Sequence, residues 1–237
     1  MTGLFHYTLF LVSVLFLSGC ADEKAENAPA ASQNEVSEPA PTASPDEARA
    51  KTAVLFLGDS ITAGSGLDPA QAFPALLQQR ADSLGWSVEM INGGLSGETS
   101  AGGLRRIGWL LRRPVDVVVL ELGGNDGLRG IDLADTRSNL LGIVDSVRAR
   151  YPDVRFVVAG MMIPPNLGPD YTRAFRDLYP DVAREAGATL IPFLLEGVGG
   201  VELLMQADGM HPTADGHAVM AETVWPYLEP LIRPEAR

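Results

Sequence analysis

The sequence predicts an α/β fold, a three-layer α/β/α arrangement around a five-stranded parallel, flavodoxin-like sheet of order 2-1-3-4-5. Three observations carry this reading. Short apolar runs alternate with stretches of helical spacing along residues 51–237. The runs are apolar at successive positions, as in strands covered on both faces. Glycine-rich breaks end several of them.

Residues 52–57 (TAVLFL) form the first expected strand and stop at Gly58. Residues 73–84 show helical spacing, with Pro74 suited to a first turn. Residues 87–91 make the second strand, broken by Asn92-Gly93-Gly94, and a helix covers 101–111. Pro114 precedes the strongest strand, 115–122, which Gly123-Gly124 ends. A helix over 136–150 stops before Pro152, and 154–159 is the fourth strand. Residues 171–186 are helical and 188–191 give the fifth strand. The last helix starts near Thr213 or Ala214 and runs to about Leu231, with a kink expected at Pro226. In this strand order the winding reverses between strands one and three, so residues just beyond their carboxyl ends should line a site.

The first fifty residues read differently. Residues 4–17 are almost wholly apolar but short for a membrane span, as in the core of a signal peptide. Leu17-Ser18-Gly19-Cys20 follows and resembles a bacterial lipobox, which implies cleavage before Cys20 and lipidation of the new N-terminus, so that Cys20 carries acyl chains. The n-region departs from the pattern, since residues 1–7 hold no Lys or Arg. Residues 21–50 are rich in Ala, Glu, Pro and Ser without apolar periodicity, and are expected to be a disordered linker. Seven acids and two bases there give −5 of the net charge of −12, leaving −7 for the remainder. The expected organisation is a signal peptide over 1–20, a linker over 21–50 and one folded domain over 51–237. Ala21 and Asp22 after the cysteine favour the outer membrane of a bacterial cell envelope, on its periplasmic side.

Composition narrows the function. The acidic balance argues against a nucleic-acid partner. The single cysteine excludes an intramolecular disulfide and a cysteine-ligated zinc. No phosphate-loop motif occurs, and Ser60 lacks the G-x-S-x-G elbow. No cofactor and no metal is expected.

Four blocks fall on one predicted rim of the sheet: Gly58-Asp59-Ser60-Ile61, Ser96-Gly97-Glu98-Thr99, Gly123-Gly124-Asn125-Asp126 and Asp208-Gly209-Met210-His211-Pro212. Each alone has a plain structural reading, Ser60 as a helix N-cap or the third block as a tight turn. A serine needs a base, and the chain has three histidines. His6 belongs to the signal segment. His217 lies inside the last helix with no acid placed to orient it, and is expected at the surface or the core edge. His211 stands in a loop three residues after Asp208, whose carboxylate can reach the far ring nitrogen. Asp59 and Asp126 are expected to hold loop N–H groups.

The four blocks resemble the SGNH (GDSL-like) hydrolases. The run Glu121 to Gly130 (ELGGNDGLRG), with Phe73-Pro74-Ala75-Leu76-Leu77, is similar to the acyl-thioesterase I, lysophospholipase L1 and arylesterase branch. The resemblance implies Ser60 as nucleophile, His211 as base and Asp208 as its orienting acid. It also implies an oxyanion hole from the N–H groups of Ser60 and Gly97 and the amide of Asn125. Leu128, Met161 and Ile163 are expected to wall an acyl pocket. Relatives in that branch carry an arginine near Met162, so methionine there weakens any expected preference for an anionic head group. The expected partners are a small-molecule or lipid ester and, through Cys20, a membrane, with the domain monomeric. The leading expectation is an esterase or thioesterase. A carbohydrate O-acetyl esterase and a non-catalytic anchored binding module remain alternatives.

Overall fold

The computed structural model describes residues 51–234. The expected signal peptide, Cys20 and linker lie outside the described residues. The five strands are β1 (Thr52–Gly58), β2 (Val88–Asn92), β3 (Val117–Glu121), β4 (Arg155–Ala159) and β5 (Thr189–Ile191). All pair in parallel, in the order β2-β1-β3-β4-β5. The expected topology is therefore the observed one.

Alternating side chains of these strands feed two apolar layers. On one face Leu55, Leu57, Val118, Leu120, Phe156 and Val158 are buried. They pack against α3 (Ser100–Leu110), α5 (Leu133–Arg150) and α6 (Pro169–Glu185). On the other, Val54, Phe56, Val117, Val119 and Val157 meet α2 (Phe73–Ser83) and α7 (Ala214–Ile232). Double burial is the reason the strand sequences run apolar without alternation.

Two short helices were not expected. Helix α1 (Ser60–Ala63) follows β1 and α4 (Gly124–Leu128) follows β3. Neither is long enough to show helical periodicity. Helices α5 and α6 also begin earlier than their apolar patterns do, at an Asp132 N-cap and at Pro169. Helix α7 runs as one element through both Pro226 and Pro230.

His217 corrects an expectation: it lies in the core, with 1% of its surface exposed. Its Nδ1 accepts the Phe73 N–H at 3.1 Å, and its ring stacks on Phe73 with centroids 6.1 Å apart. Acceptance at Nδ1 requires the neutral ring, and burial pushes its pKa from 6.5 down to about 4. Above pH 6.5 both folded and unfolded chains hold it neutral, and it costs nothing. As pH falls, the unfolded chain takes up a proton near 6.5 and the folded chain only near 4. We therefore expect stability to drop through that window by up to about 3 kcal/mol. His217→Asn, which keeps an acceptor, should flatten this part of a urea-denaturation profile against pH. An unchanged slope in the variant would assign the loss to other groups.

Candidate active site

The site is built on the carboxyl ends of β1 and β3, where the winding of the sheet reverses. Gly58 and Glu121 are paired in register there. A Cβ on Gly58 would lie 2.1 Å from Thr62 Oγ1 and 2.3 Å from Glu121 Oε2, so only glycine fits. Glu121, 1% exposed, accepts from the Asp59 N–H at 3.0 Å and from the Thr62 hydroxyl at 2.6 Å, both at Oε2. Burial pushes its pKa well above the usual carboxyl range, and the charge of Asp59 adds to the shift. Asp59 caps α1 by accepting the Ile61 N–H at 2.9 Å, and burial raises its pKa too. These contacts fix the turn from β1 into α1 and leave Ser60 facing the cleft.

His211 arrives from the other side of the chain. Its Nε2 is 2.9 Å from Ser60 Oγ, and its Nδ1 is 2.6 Å from Asp208 Oδ2. Asp208 Oδ1 accepts the N–H groups of His211 and Met210 at 3.0 and 2.9 Å. These backbone bonds, then the bond from the His211 ring, hold the Asp208 carboxyl well below its ordinary range. It is therefore a charged acceptor, which selects the tautomer with the proton on Nδ1 and leaves Nε2 free to accept from Ser60. Gln206 braces the loop: its N–H donates to His211 O at 2.7 Å, and its amide donates to Ser65 O and Pro212 O, each at 2.8 Å. A single side chain thus joins the histidine loop to the segment that follows the serine.

Asn125 stands in α4. Its Nδ2 donates to Asp59 Oδ2 at 3.0 Å, and its Oδ1 faces Arg129 Nη2 at 3.4 Å. An acid on one side and a cation on the other settle which way the amide points. One Nδ2 hydrogen remains free for the cleft. Arg129 Nη2 also donates to Gly97 O at 3.1 Å. Gly97 has φ +77, and no hydrogen bond within the described residues uses its N–H. Arg106 pins the same loop, pairing through Nε with Glu98 and donating to Gly93 O at 2.6 Å. Asp126 is fully buried and accepts from the N–H and hydroxyl of Ser100 and from Thr136. It ties α4 to α3 and α5, as the structural reading of that residue expects.

A cavity of about 360 Å³ opens here, bounded by Ser60, Asn125, Leu128, Met161, Ile163 and Asp208 among others. The expected acyl-wall residues are thus brought together with Ser60. Gly97 and His211 are not among the bounding residues, and Gly97 reaches the site through Arg129 and Asn125. Glu121, Arg129 and Gln206 were not singled out from sequence. Glu121 did carry a signal, an acid closing an otherwise apolar strand. Arg129 and Gln206 act largely on backbone carbonyls, which leave no mark in sequence.

The arrangement can move a proton from a serine hydroxyl to an imidazole braced by a carboxylate, beside a free amide N–H and an apolar hollow. Residues 56–219 match the model of the GDSL-like Lipase/Acylhydrolase family. Esterase TesA of Pseudomonas aeruginosa is 45% identical over 188 residues, covering 78% of this chain and 92% of that protein. Thioesterase 1/protease 1/lysophospholipase L1 of Escherichia coli K12 is 36% identical over 186 residues, covering 78% and 87%. A crystal structure of TesA superposes with a TM-score of 0.72 at 45% identity, over 76% of this chain and 99% of that one. The chain belongs to the GDSL-like lipase/acylhydrolase family of SGNH hydrolases, whose fold its sheet order reproduces.

Proposed function

We propose that the protein is a serine esterase and thioesterase that cleaves aryl, short-to-medium acyl or lysophospholipid esters from a lipid anchor at Cys20. The single observation that carries the catalytic part is the linear relay of Ser60, His211 and Asp208 at 2.9 and 2.6 Å. Ser60 Oγ attacks the acyl carbonyl carbon as its proton passes to His211 Nε2. The oxyanion takes hydrogen bonds from the N–H groups of Ser60 and Gly97 and from Asn125 Nδ2. Collapse breaks the bond to the alcohol or thiol, which leaves with the proton from His211. Water then gives a proton to His211 and attacks the acyl-enzyme, releasing the acid and free Ser60. One chain supplies every group named, so no second copy enters the mechanism. The names of the relatives, esterase TesA and thioesterase 1/protease 1/lysophospholipase L1, support the ester, thioester and lysophospholipid part of this range.

Three variants test the roles together on a p-nitrophenyl ester. Ser60→Ala should abolish turnover and labelling by a fluorophosphonate probe. Asn125→Ala should lower kcat by about 10²–10³, the usual cost of one oxyanion donor. Asp208→Asn should lower kcat by about 10⁴, because the ring would then favour the wrong tautomer. Full turnover in Ser60→Ala would remove the mechanism, and a wild-type chain that takes no probe would favour the binding-module alternative.

The apolar lining of the cavity by Leu128, Met161 and Ile163 favours an acyl chain over acetate. Rates on p-nitrophenyl esters are expected to rise from acetyl to hexanoyl. The reverse order, with acetate released from acetylated polysaccharide, would support the carbohydrate esterase instead.

The anchor rests on the apolar run 4–17 and on Leu17-Ser18-Gly19-Cys20. Two or more chains on Cys20 would hold the protein stably. Radiolabelled palmitate should enter the wild-type protein expressed in a bacterium and be lost in Cys20→Ala. Labelling that survives the substitution would place the lipid elsewhere.

A further inference from the structure

Six of the nine most open large apolar side chains among the described residues ring the mouth of the cleft, so their placement is not scattered. Leu128, Met162 and Met210 bound the cavity itself and are 38%, 50% and 49% exposed. Leu167 stands over Gly130, two residues beyond Leu128. Across the mouth, Leu203 borders an adjoining groove that shares Gly200, Met205 and Gly209 with the cavity. It lies 87% open on a short 3-10 turn, Glu202–Leu204, with the open Val201 just before it. Leu204 of that turn packs against the core, so the backbone is seated while Leu203 is held out in water.

We propose that this rim docks on the surface of a zwitterionic lipid aggregate, from which acyl esters pass directly into the cleft. The inference rests on the esterase reading and names where its substrates lie. Leu128, Met162 and Met210 are at once rim and cleft wall. A chain leaving lipid there exchanges one apolar surroundings for another without crossing water. Charge decides which lipid. Exposed charges near the rim include Glu202, Asp208, Asp170 and Arg129, three acids to one base, in a part of the chain that carries −7 of the net charge, so anionic head groups gain nothing. The proposed acyl anchor supplies the third argument, because it keeps the domain within reach of such a surface.

The test uses the full chain and two rim residues outside the catalytic groups and the cleft wall, Val201 and Leu203. In the double variant Val201→Glu/Leu203→Glu, hydrolysis of soluble p-nitrophenyl butyrate should stay within twofold of wild type. Hydrolysis of p-nitrophenyl dodecanoate dissolved in phosphatidylcholine vesicles should fall tenfold or more. Equal losses on both substrates, or no loss on vesicles, overturn the proposal. A second readout needs no activity. An environment-sensitive fluorophore on Leu203→Cys should shift to the blue with phosphatidylcholine vesicles, while one on Leu84→Cys should not. A shift that grows with protein concentration alone would identify a second copy as the occupant. One that needs anionic lipid and vanishes in salt would identify charge as the cause, and either result overturns docking on zwitterionic lipid. A label that shifts in a chain that cleaves no ester would support docking while removing the esterase reading.

Discussion

Everything at the site leans on one buried carboxyl group, that of Glu121. It closes β3 opposite Gly58, and one of its oxygens accepts both the Asp59 N–H and the Thr62 hydroxyl. An isolated ionised carboxyl this deep would be costly, and its pKa is accordingly pushed up. Its Oε2 accepts from both donors whether the group is charged or neutral. Asp59 beside it is itself buried and shifted upward. The node also dictates its neighbour: any side chain at Gly58 would collide with the oxygen that organises the turn. From there Asp59 reaches Asn125, so the amide on α4 is aligned by the same acid that caps the helix of Ser60. Nucleophile loop and amide donor are thus one hydrogen-bonded unit.

The histidine side is held by a different device. His217 and His211 are six residues apart and meet opposite conditions. His217 is locked neutral in the core against Phe73, which fixes the first turns of α7. His211 sits at the open end just before that helix, with its ring between an acid and a hydroxyl. Gln206 then bonds forward to Pro212 and across to Ser65, closing the gap between the two halves of the relay. A core histidine, a helix start and one amide therefore set the position of an imidazole that makes no core contact of its own.

Much of this was legible in the sequence, for identifiable reasons. The strands were readable because double burial writes continuous apolar runs, as in residues 117–120 (VVVL). Ser60, Asn125, Asp208 and His211 were readable because they follow strand ends on one rim. The short helices α1 and α4 were not, being set by caps and tertiary bonds rather than by periodicity. His217 was misjudged because an isolated histidine gives no sign of which nitrogen it will use, or that Phe73, 144 residues earlier, presents an N–H to it. Arg129 and Gln206 escaped for the same reason. Their partners are mostly carbonyl oxygens, which every residue carries.

The placement of the cleft sets a constraint on any membrane-bound life for this chain. The mouth lies at the carboxyl edge of the sheet, whereas the described domain begins at Lys51, at the amino edge. Along β1 the seven residues Thr52–Gly58 separate the two edges by about 23 Å. A random coil of thirty residues has a root-mean-square span of about 30 Å. Were Cys20 to carry the proposed anchor, a tether of that span would exceed the distance between the two edges. Orientation would also act on the chemistry. The Asp208 side chain is 48% exposed, so bulk water screens its pull on His211. A rim pressed against lipid would exclude part of that water, and the same 2.6 Å contact would then be screened less. The exposed acid and the apolar side chains around it therefore share one mouth, and whatever covers the apolar part also changes the solvent at the acid.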